Sequence, residues 1–595
     1  MRTKLLLLGF SAFWLILVVR IYYISIKSNT YYEEIAKQNA IKVDDLAPFR
    51  GSILDINGKP LSVNKLGFSI GIKPQLSSSR KKEILDKEIK TLVENIEGLD
   101  FKKIKKLYIK RDSPYSHDYV KVIDFISYDN LITKFSKLSL RDNLKISISS
   151  KRYYPYKELA SHVIGYVAKA NSKDEQKDKI AKLTGFIGKT GIEKYYNTLL
   201  EGQKGVKRTK VTAFNVEIEE IDKKLPLSHN IRLNLDLDLQ QYVAELFKEK
   251  SGVVIVMNAN NGKILVAGSF PEYNLNQFVT GISTKEWKKL SGDFNHPFTN
   301  KFINGLYPPG SAIKMGVALS LLDSGLIRPN TYFYDTGVFE LGGRNFRCWK
   351  KRGHGKTNMI KAIRESCDDY FYKASLRVGI DKISPVLREL GFSKKTGVDL
   401  PYESTGSVPS RSWKMQKYQK PWYQGETLIT SIGQGYFLVT PLQIAKYTAL
   451  LATGYSVTPH FIQSVGGLDV NYGKKEVFSL KEKRNLLLIR KAMREVISHP
   501  KGTGYRYIKS KVDIAGKTGT AQVVGIPQGE KKRMKESELE YYKRSHAWFT
   551  TYGPYKKPQY VVTVMVEHGG HGGAAAGKII SKIYDKLLEM GYIKK

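Results

Sequence analysis

Three short strings, far apart in the chain, combine residue types that could perform one reaction: Ser311-Ala312-Ile313-Lys314, Ser366-Cys367-Asp368 and Lys517-Thr518-Gly519-Thr520. A serine hydroxyl is a weak nucleophile until a neighbouring base takes its proton, and a lysine serves as that base only when neutral. A nucleophilic serine with its own lysine, a second serine and a further lysine on a strand edge spell acyl transfer through a covalent serine ester. Ser-x-x-Lys alone is cheap in a lysine-rich chain, and Ser78 to Lys81 and Ser79 to Lys82 also fit. Context selects Ser311. It follows Tyr307-Pro308-Pro309-Gly310, a turn that cannot be helical, and precedes an apolar-rich run from Ile313 to Leu322 closed by Gly325. That pattern predicts Ser311 at a helix N-terminus, where the dipole favours developing negative charge, with Lys314 one turn on along the same face. Burial and a nearby cation would lower the lysine's proton affinity, and Lys517 is the candidate cation.

Val512 to Val524 is rich in small and β-branched residues and predicts a strand. Gly516 and Gly519 would weaken an ordinary strand but allow another backbone to approach, as when a peptide substrate adds along an edge. Lys517 would then supply positive charge for a substrate carboxylate, with Thr518 and Thr520 as hydrogen-bond donors.

The elements that must position these groups are legible in outline. Leu5 to Val19 is uncharged, and Leu5 to Ile26 reaches across a bilayer if Arg20 snorkels and Tyr22-Tyr23 sit at the interface. Bulky residues follow rather than a small-residue cleavage site, so an uncleaved anchor is expected. Arg2 and Lys4 favour a cytoplasmic N-terminus. The remainder is too long for one core. Gly252 to Met257, the Asn261-Gly262 turn and Lys263 to Ala267 predict a hairpin. Helical runs follow between 311 and 460, strands return at 512–524, 546–552 and 559–567, and a final helix begins near Ala575. Strands at both ends around a helical middle imply an α+β domain with one antiparallel sheet. Upstream, a charged insert at about 66–145 has helical spacing from Ile84 to Leu99.

Further segments carry a resemblance. Arg50-Gly51-Ser52-Ile53-Leu54-Asp55-Ile56-Asn57-Gly58 resembles the first box of the class B penicillin-binding protein amino-terminal module, with Ile56 where the family commonly places arginine. Gly191-Ile192-Glu193-Lys194-Tyr195-Tyr196 with Leu200-Glu201-Gly202 resembles a later box, and Leu235 to Gln240 resembles the start of the transpeptidase domain. Gly353-His354-Gly355, Trp422-Tyr423-Gln424-Gly425 and Ile432-Gly433-Gln434-Gly435-Tyr436 with Thr440-Pro441-Leu442-Gln443 are similar to the elongation-type branch, penicillin-binding protein 2. The resemblance covers nearly the whole chain, weakest from about Leu66 to Lys145. It implies a cytoplasmic tail at 1–4, an anchor at 5–26, an elongated β-rich pedestal (dimerisation) module at 27–235 and a transpeptidase domain at 236–595. That last domain would have the serine acyltransferase fold of β-lactamases, with a helical subdomain. One departure touches the site: the second string usually ends in asparagine, whereas Asp368 accepts hydrogen bonds and donates none when ionised.

The implied reaction is peptidoglycan D,D-transpeptidation. Ser311 attacks the penultimate D-alanine of a donor stem peptide, Ser366 bridges Lys314 and Lys517 as proton shuttle, and Thr518, Gly519, Thr520 and Asp368 bind substrate. The backbone N–H groups of Ser311 and Thr520 form the oxyanion hole. β-Lactams would acylate Ser311. No glycosyltransferase segment is recognisable, so lipid-linked nascent glycan would come from a partner polymerase of the shape, elongation, division and sporulation family, held with an elongation-complex scaffold. The alternatives are a division-type transpeptidase, a mainly non-enzymatic activator of that polymerase, and a β-lactam sensor or β-lactamase, which would not need the amino-terminal boxes. The implied location is the inner membrane, single-pass, with the bulk in the periplasm.

The net charge of +41 would suggest nucleic acid, but basic residues are spread along the chain and interleaved with acidic ones. Anionic lipid head groups or a wall polymer suit it better, with a lysine-biased composition as the plain alternative. The two cysteines, Cys348 and Cys367, flank His354, and Asp335 lies upstream. Two thiolates, an imidazole and a carboxylate make a four-coordinate zinc set. A disulfide and two free buried thiols are the other readings. The Gly353-His354-Gly355 turn favours zinc, as does the resemblance, and such an ion would be structural and adjacent to catalysis.

Overall fold

The computed structural model describes residues 2–27, 34, 40–78, 80–212, 217–478, 480–524 and 535–594; Ser79, one of the rival serines, lies outside them. The apolar N-terminus forms a helix, Arg2–Tyr22, continued by a wider helical turn, Tyr23–Lys27. Thr3–Lys27 is the one helix among the described residues long and apolar enough to cross a membrane.

In the pedestal, the strand Pro60–Ile72 pairs antiparallel with both Val120–Ser127 and Leu144–Tyr153. The charged insert supplies two helices, Lys82–Asn95 and Phe101–Arg111, whose Leu85, Ile89, Leu92, Ile104 and Tyr108 are buried with Ile70 and Ile72 of that sheet. The helical spacing of 84–99 overruns the first helix because Gly98 turns left-handed (φ +80°) and Asp100 caps the second helix through the Lys103 N–H, 2.9 Å. The two boxes meet: Arg50 Nε donates to Glu193 Oε2 and Arg152 Nε to Glu193 Oε1, each at 2.7 Å, around a fully buried carboxylate. Burial alone would raise the Glu193 pKa, but the two guanidiniums hold it below the usual carboxylate range. Ile56 packs into the core beneath the catalytic sheet, and Asp55 organises the box by accepting from Asn57 N, Lys59 N and Leu237 N.

The catalytic sheet has the order Ile264–Phe270, Gly252–Asn258, Tyr560–Val566, His546–Gly553, Ala515–Ala521, and every pair is antiparallel. Its central strands are buried on both faces, so they read as continuous apolar runs. Val254, Val256, Val562 and Val564 face the helices Leu237–Leu246 and Gly572–Glu589, while Val253, Ile255, Val561 and Met565 belong to the larger core of Lys314–Asp323, Pro441–Thr453 and Leu480–Ser498. The last helix starts at Gly572, ahead of Ala575: a Cβ on Gly572 would fall 2.1 Å from Trp548 O and 2.4 Å from Gly519 O, so only glycine lets the helix approach the sheet there. Pedestal and catalytic halves share a sheet, since Ile231–Leu233 pairs parallel with Ile53–Leu54 and antiparallel with Ile462–Val465.

His162 lies in the core between the halves, its Nε2–H donating to Pro297 O at 2.7 Å. Burial lowers its pKa to about 4 from 6.5, and the Lys301 charge adds to this. A depressed folded-state value means the contribution to stability is complete above the unfolded pKa and is lost as pH falls through the folded one. Between pH 7 and pH 4 this one ring should cost about 3 kcal/mol of stability. His162→Gln should flatten the fall of the melting temperature over that window.

Candidate active site

Ser311 sits in a short 3-10 turn, Gly310–Ile313, ahead of the helix Lys314–Asp323 rather than on its first α-helical turn. The cause is crowding. Gly310 has φ +52°, and a Cβ there would lie 2.6 Å from Thr520 O and 3.2 Å from Thr520 N. The serine turn thus presses directly on the end of the strand Ala515–Ala521. Gly310 N donates to Gly433 O at 2.9 Å, and Gln434 Nε2 to Thr520 O at 3.1 Å. The Ile432 to Tyr436 segment therefore clamps the turn from the other side.

Ser366 stands between the two lysines. Lys314 Nζ donates to Ser366 Oγ at 3.3 Å, to Ser366 O at 3.0 Å and to Asp368 Oδ1 at 2.7 Å, the last an ion pair. Lys517 Nζ donates to the same Ser366 Oγ at 2.9 Å and to Thr518 O at 3.0 Å. Both lysines are fully buried. Ser366 itself has φ +55°, a left-handed conformation uncommon for serine, held by the loop that ends at the helix Asp368–Val378. Burial is the chief cause pushing Lys517 well below the ordinary lysine range; the Lys314 charge adds to it and Asp368 opposes. Lys517, the candidate cation beside Lys314, is thus held where its charged form is disfavoured.

A cleft of about 880 Å³ opens here, lined by Ser311, Ser366, Asp368, Thr518, Gly519 and Thr520. Lys314 and Lys517 lie behind its wall, so a bound carboxylate meets the threonines first. Several lining residues carried no sequence signal. Phe346 and Arg347 come from the hairpin Val338–Leu341/Arg344–Arg347, Trp349 and Tyr372 from beside the second string, and Thr503 from a Gly502-Thr503-Gly504 loop. Thr503 shares a 2.7 Å hydroxyl contact with Thr518. Asp368, the departure noted above, has both oxygens engaged: Oδ2 accepts from Trp349 N at 3.0 Å.

Asp335, Cys348, His354 and Cys367 converge, with one donor atom from each within 4.8 Å of the others and all four buried. His354 Nδ1 lies 2.7 Å from Asp335 Oδ2 and 3.5 Å from Cys348 Sγ, and Cys367 Sγ is 3.2 Å from Asp335 Oδ2. The cysteines are separate thiols, not a disulfide. A hydrogen bond from Cys367 lowers the Cys348 pKa below the usual thiol range, against the effect of burial. Burial works against protonation of His354, but Asp335 and Cys348 raise its pKa to about 9. Edges of a zinc tetrahedron with such ligands run about 3.3–3.8 Å; the separations above are 2.7, 3.2 and 3.5 Å, so the donor types suit the ion, and the hydrogen-bonded His354–Asp335 pair would open to hold it.

The chain matches the penicillin binding protein transpeptidase domain over residues 252–585 and the penicillin-binding protein dimerisation domain over 45–231. It belongs to the penicillin-binding protein transpeptidase family. Among members of that family it is 33% identical to the peptidoglycan D,D-transpeptidase MrdA of Haemophilus influenzae, over 99% of this chain and 91% of the relative. Of solved structures it resembles penicillin-binding protein 2 of Helicobacter pylori in complex with MreC, with 43% identity, TM-score 0.85, and coverage of 93% of this chain and 99% of that one. It also resembles a chain in a peptidoglycan synthase complex that coordinates polymerization and crosslinking, with 26% identity, TM-score 0.70, and coverage of 98% and 97%. For a penicillin-binding protein the three strings thus fall at one cleft, with the four-residue donor cluster beside it.

Proposed function

We infer that this protein is a peptidoglycan D,D-transpeptidase that joins stem peptides through an ester on Ser311 during wall elongation, and that β-lactams acylate the same serine. The observation that carries the reading is the Ser366 hydroxyl held between two buried lysines, 3.3 and 2.9 Å away, at the mouth of a cleft bounded by Ser311 and Thr520.

The proton inventory supplies the sequence of events. Two buried ammonium groups sharing one acceptor repel each other, and burial beside Lys314 disfavours the charged form of Lys517. A substrate carboxylate docking at Thr518 and Thr520 raises the proton affinity of Lys517. A proton then passes from Lys314 through Ser366 to Lys517, leaving Lys314 neutral. Lys314 takes the Ser311 proton as Ser311 Oγ bonds to the carbonyl carbon of the penultimate D-alanine. The oxyanion is met by the N–H groups of Ser311 and Thr520. Once Lys517 and Lys314 are both protonated, Ser366 Oγ accepts from each, so its own O–H is free to protonate the departing D-alanine amine, and Lys314 replenishes it. The side-chain amine of a second stem then resolves the ester by the reverse transfers. Asp368 anchors Lys314 in this scheme.

The Asp335, Cys348, His354 and Cys367 set would hold zinc as a structural ion, fixing the 348–367 segment that delivers Trp349 N and Ser366 to the site. Metal analysis of purified protein should find about one zinc per chain, as expected for a four-ligand structural site, and Cys348→Ala should lose it together with thermal stability. A metal-free wild type would end this assignment.

Residues 5–26 would anchor the chain with Arg2 and Lys4 on the cytoplasmic side, the pedestal at 27–235 and the transpeptidase domain at 236–595 in the periplasm. The MreC complex of the Helicobacter relative favours an elongation scaffold as partner. The synthase complex favours a polytopic glycan polymerase that supplies lipid-linked glycan. Incubating purified protein with polymerised lipid-linked substrate should release D-alanine and yield dimeric stems. Absence of both, with a partner polymerase present, would overturn the reading, and depletion should round cells, whereas filaments would indicate a division role.

A further inference from the structure

Behind the nucleophile, outside the cleft, lies a second buried charge network that the mechanism above does not use. Lys301, 2% exposed, donates from Nζ to Ser251 Oγ at 2.6 Å and to the carbonyls of Phe270 and Asn295 at 2.7 Å each, and pairs with Glu567 Oε2 at 2.8 Å. Glu567 accepts in turn from the Ser251 hydroxyl and from Tyr307 OH, the latter at 2.7 Å. Burial opposes ionisation of both partners and lowers the Lys301 pKa, while Lys301 and the two hydroxyls hold Glu567 below the usual carboxylate range. None of Lys301, Tyr307 and Glu567 lines the cleft.

Tyr307 is the outer end of a stiff lever. Its N–H donates to Val439 O at 3.0 Å and its C=O accepts from Val439 N at 2.9 Å. Its hydroxyl is tied to Glu567. Pro308 and Pro309 fix φ over the next two residues, and Gly310 and Ser311 follow directly. The Tyr307 ring also packs edge-on against His546 (5.4 Å) and Trp548 (6.1 Å). Those residues pair with Ala521 and Gly519, the neighbours of Thr520 on the adjacent strand. Glu567 follows the strand Tyr560–Val566, which pairs with that same His546–Gly553 strand. One side chain therefore touches both the segment that carries Ser311 and the strand that backs Thr520, and an ion pair with its remaining valences filled holds its tip.

We propose that the Tyr307–Glu567–Lys301 network is a positioning device that sets the placement of Ser311 against the Thr520 N–H, so that it governs the acylation step and not the reversible docking of the acyl donor. The proposal rests on Ser311 being the nucleophile. Tyr307→Phe removes one oxygen, keeps the ring's volume and contacts, and detaches the lever from the ion pair.

The test is stopped-flow acylation of the full-length detergent-solubilised protein by a fluorescent penicillin, over a concentration range that separates the dissociation constant from the first-order acylation constant. In Tyr307→Phe the acylation constant should fall about tenfold or more, since misplacement by a fraction of an ångström is felt at the reacting atoms. The dissociation constant should stay within about twofold. Glu567→Gln should act in the same direction, and the double variant should lose no more than the stronger single one, as for groups in one network. Lys301→Arg, which retains the charge, should acylate close to the wild-type rate. An unchanged acylation constant in Tyr307→Phe overturns the proposal, even if the melting temperature falls, because that pattern belongs to a purely structural contact. A wild type that is not acylated at Ser311 removes the underlying assignment instead, and the two failures are separated by the wild-type trace.

Discussion

Replacing Ser311 by alanine should abolish covalent labelling by a fluorescent penicillin and reduce D-alanine release by at least ~10⁴-fold, the scale seen when a covalent nucleophile is removed. The substitution takes one oxygen from the cleft wall and leaves the 3-10 turn, the Gly310 contact with Gly433 and the lysine pair in place. The melting temperature should therefore hardly move. Reversible binding of the β-lactam should survive, since Thr518, Gly519 and Thr520 line the cleft independently of the serine. Labelling that persists in Ser311→Ala would assign the nucleophile elsewhere.

The second large effect is expected at Lys314, and two substitutions separate its roles. Lys314→Met removes the base and leaves the Asp368 carboxylate, 2.7 Å from the lost amine, without its counter-charge. Acylation should fall by roughly 10²–10⁴-fold, the range for loss of a general base, and stability by about 3 kcal/mol, as for breaking a largely buried ion pair. Lys314→Arg keeps a cation beside Asp368 and should recover much of the stability. A guanidinium does not give up its proton near neutral pH, so acylation should stay lost. Labelling rate and melting temperature measured on both variants check this; a Lys314→Arg enzyme that acylates normally would exclude proton abstraction by Lys314.

Much of this site was legible because its chemistry is carried by rare combinations. None of Ser311 with Lys314, Ser366 with Asp368, and Lys517 with Thr518 is diagnostic alone; their occurrence together, in context, declares the chemistry. The pedestal boxes are legible through their resemblance to the class B module, whereas the Arg50–Glu193 ion pair that joins them comes from the fold. The Asn261-Gly262 hairpin and the apolar strands of the catalytic sheet follow from local pattern. What could not be read is set by tertiary contact. That the charged form of Lys517 is disfavoured depends on its complete burial and on the Lys314 charge that the fold brings beside it. The 3-10 turn at Ser311 comes from the strand pressing on Gly310, and the early start of the last helix from close approach to Trp548. Thr503 and Trp349 are ordinary residues whose placement comes only from the fold. Lys301 and Glu567 are 266 residues apart in a chain with 97 Lys+Arg and 56 Asp+Glu, so nothing in their spacing singles out the pair.

The most direct measurement is mass spectrometry of protein incubated with benzylpenicillin and digested with trypsin. A covalent penicilloyl adduct is expected on the peptide that runs from Phe302 to Lys314, located at Ser311 and missing from Ser311→Ala. An intact protein with no adduct, or an adduct on any other residue, would contradict it.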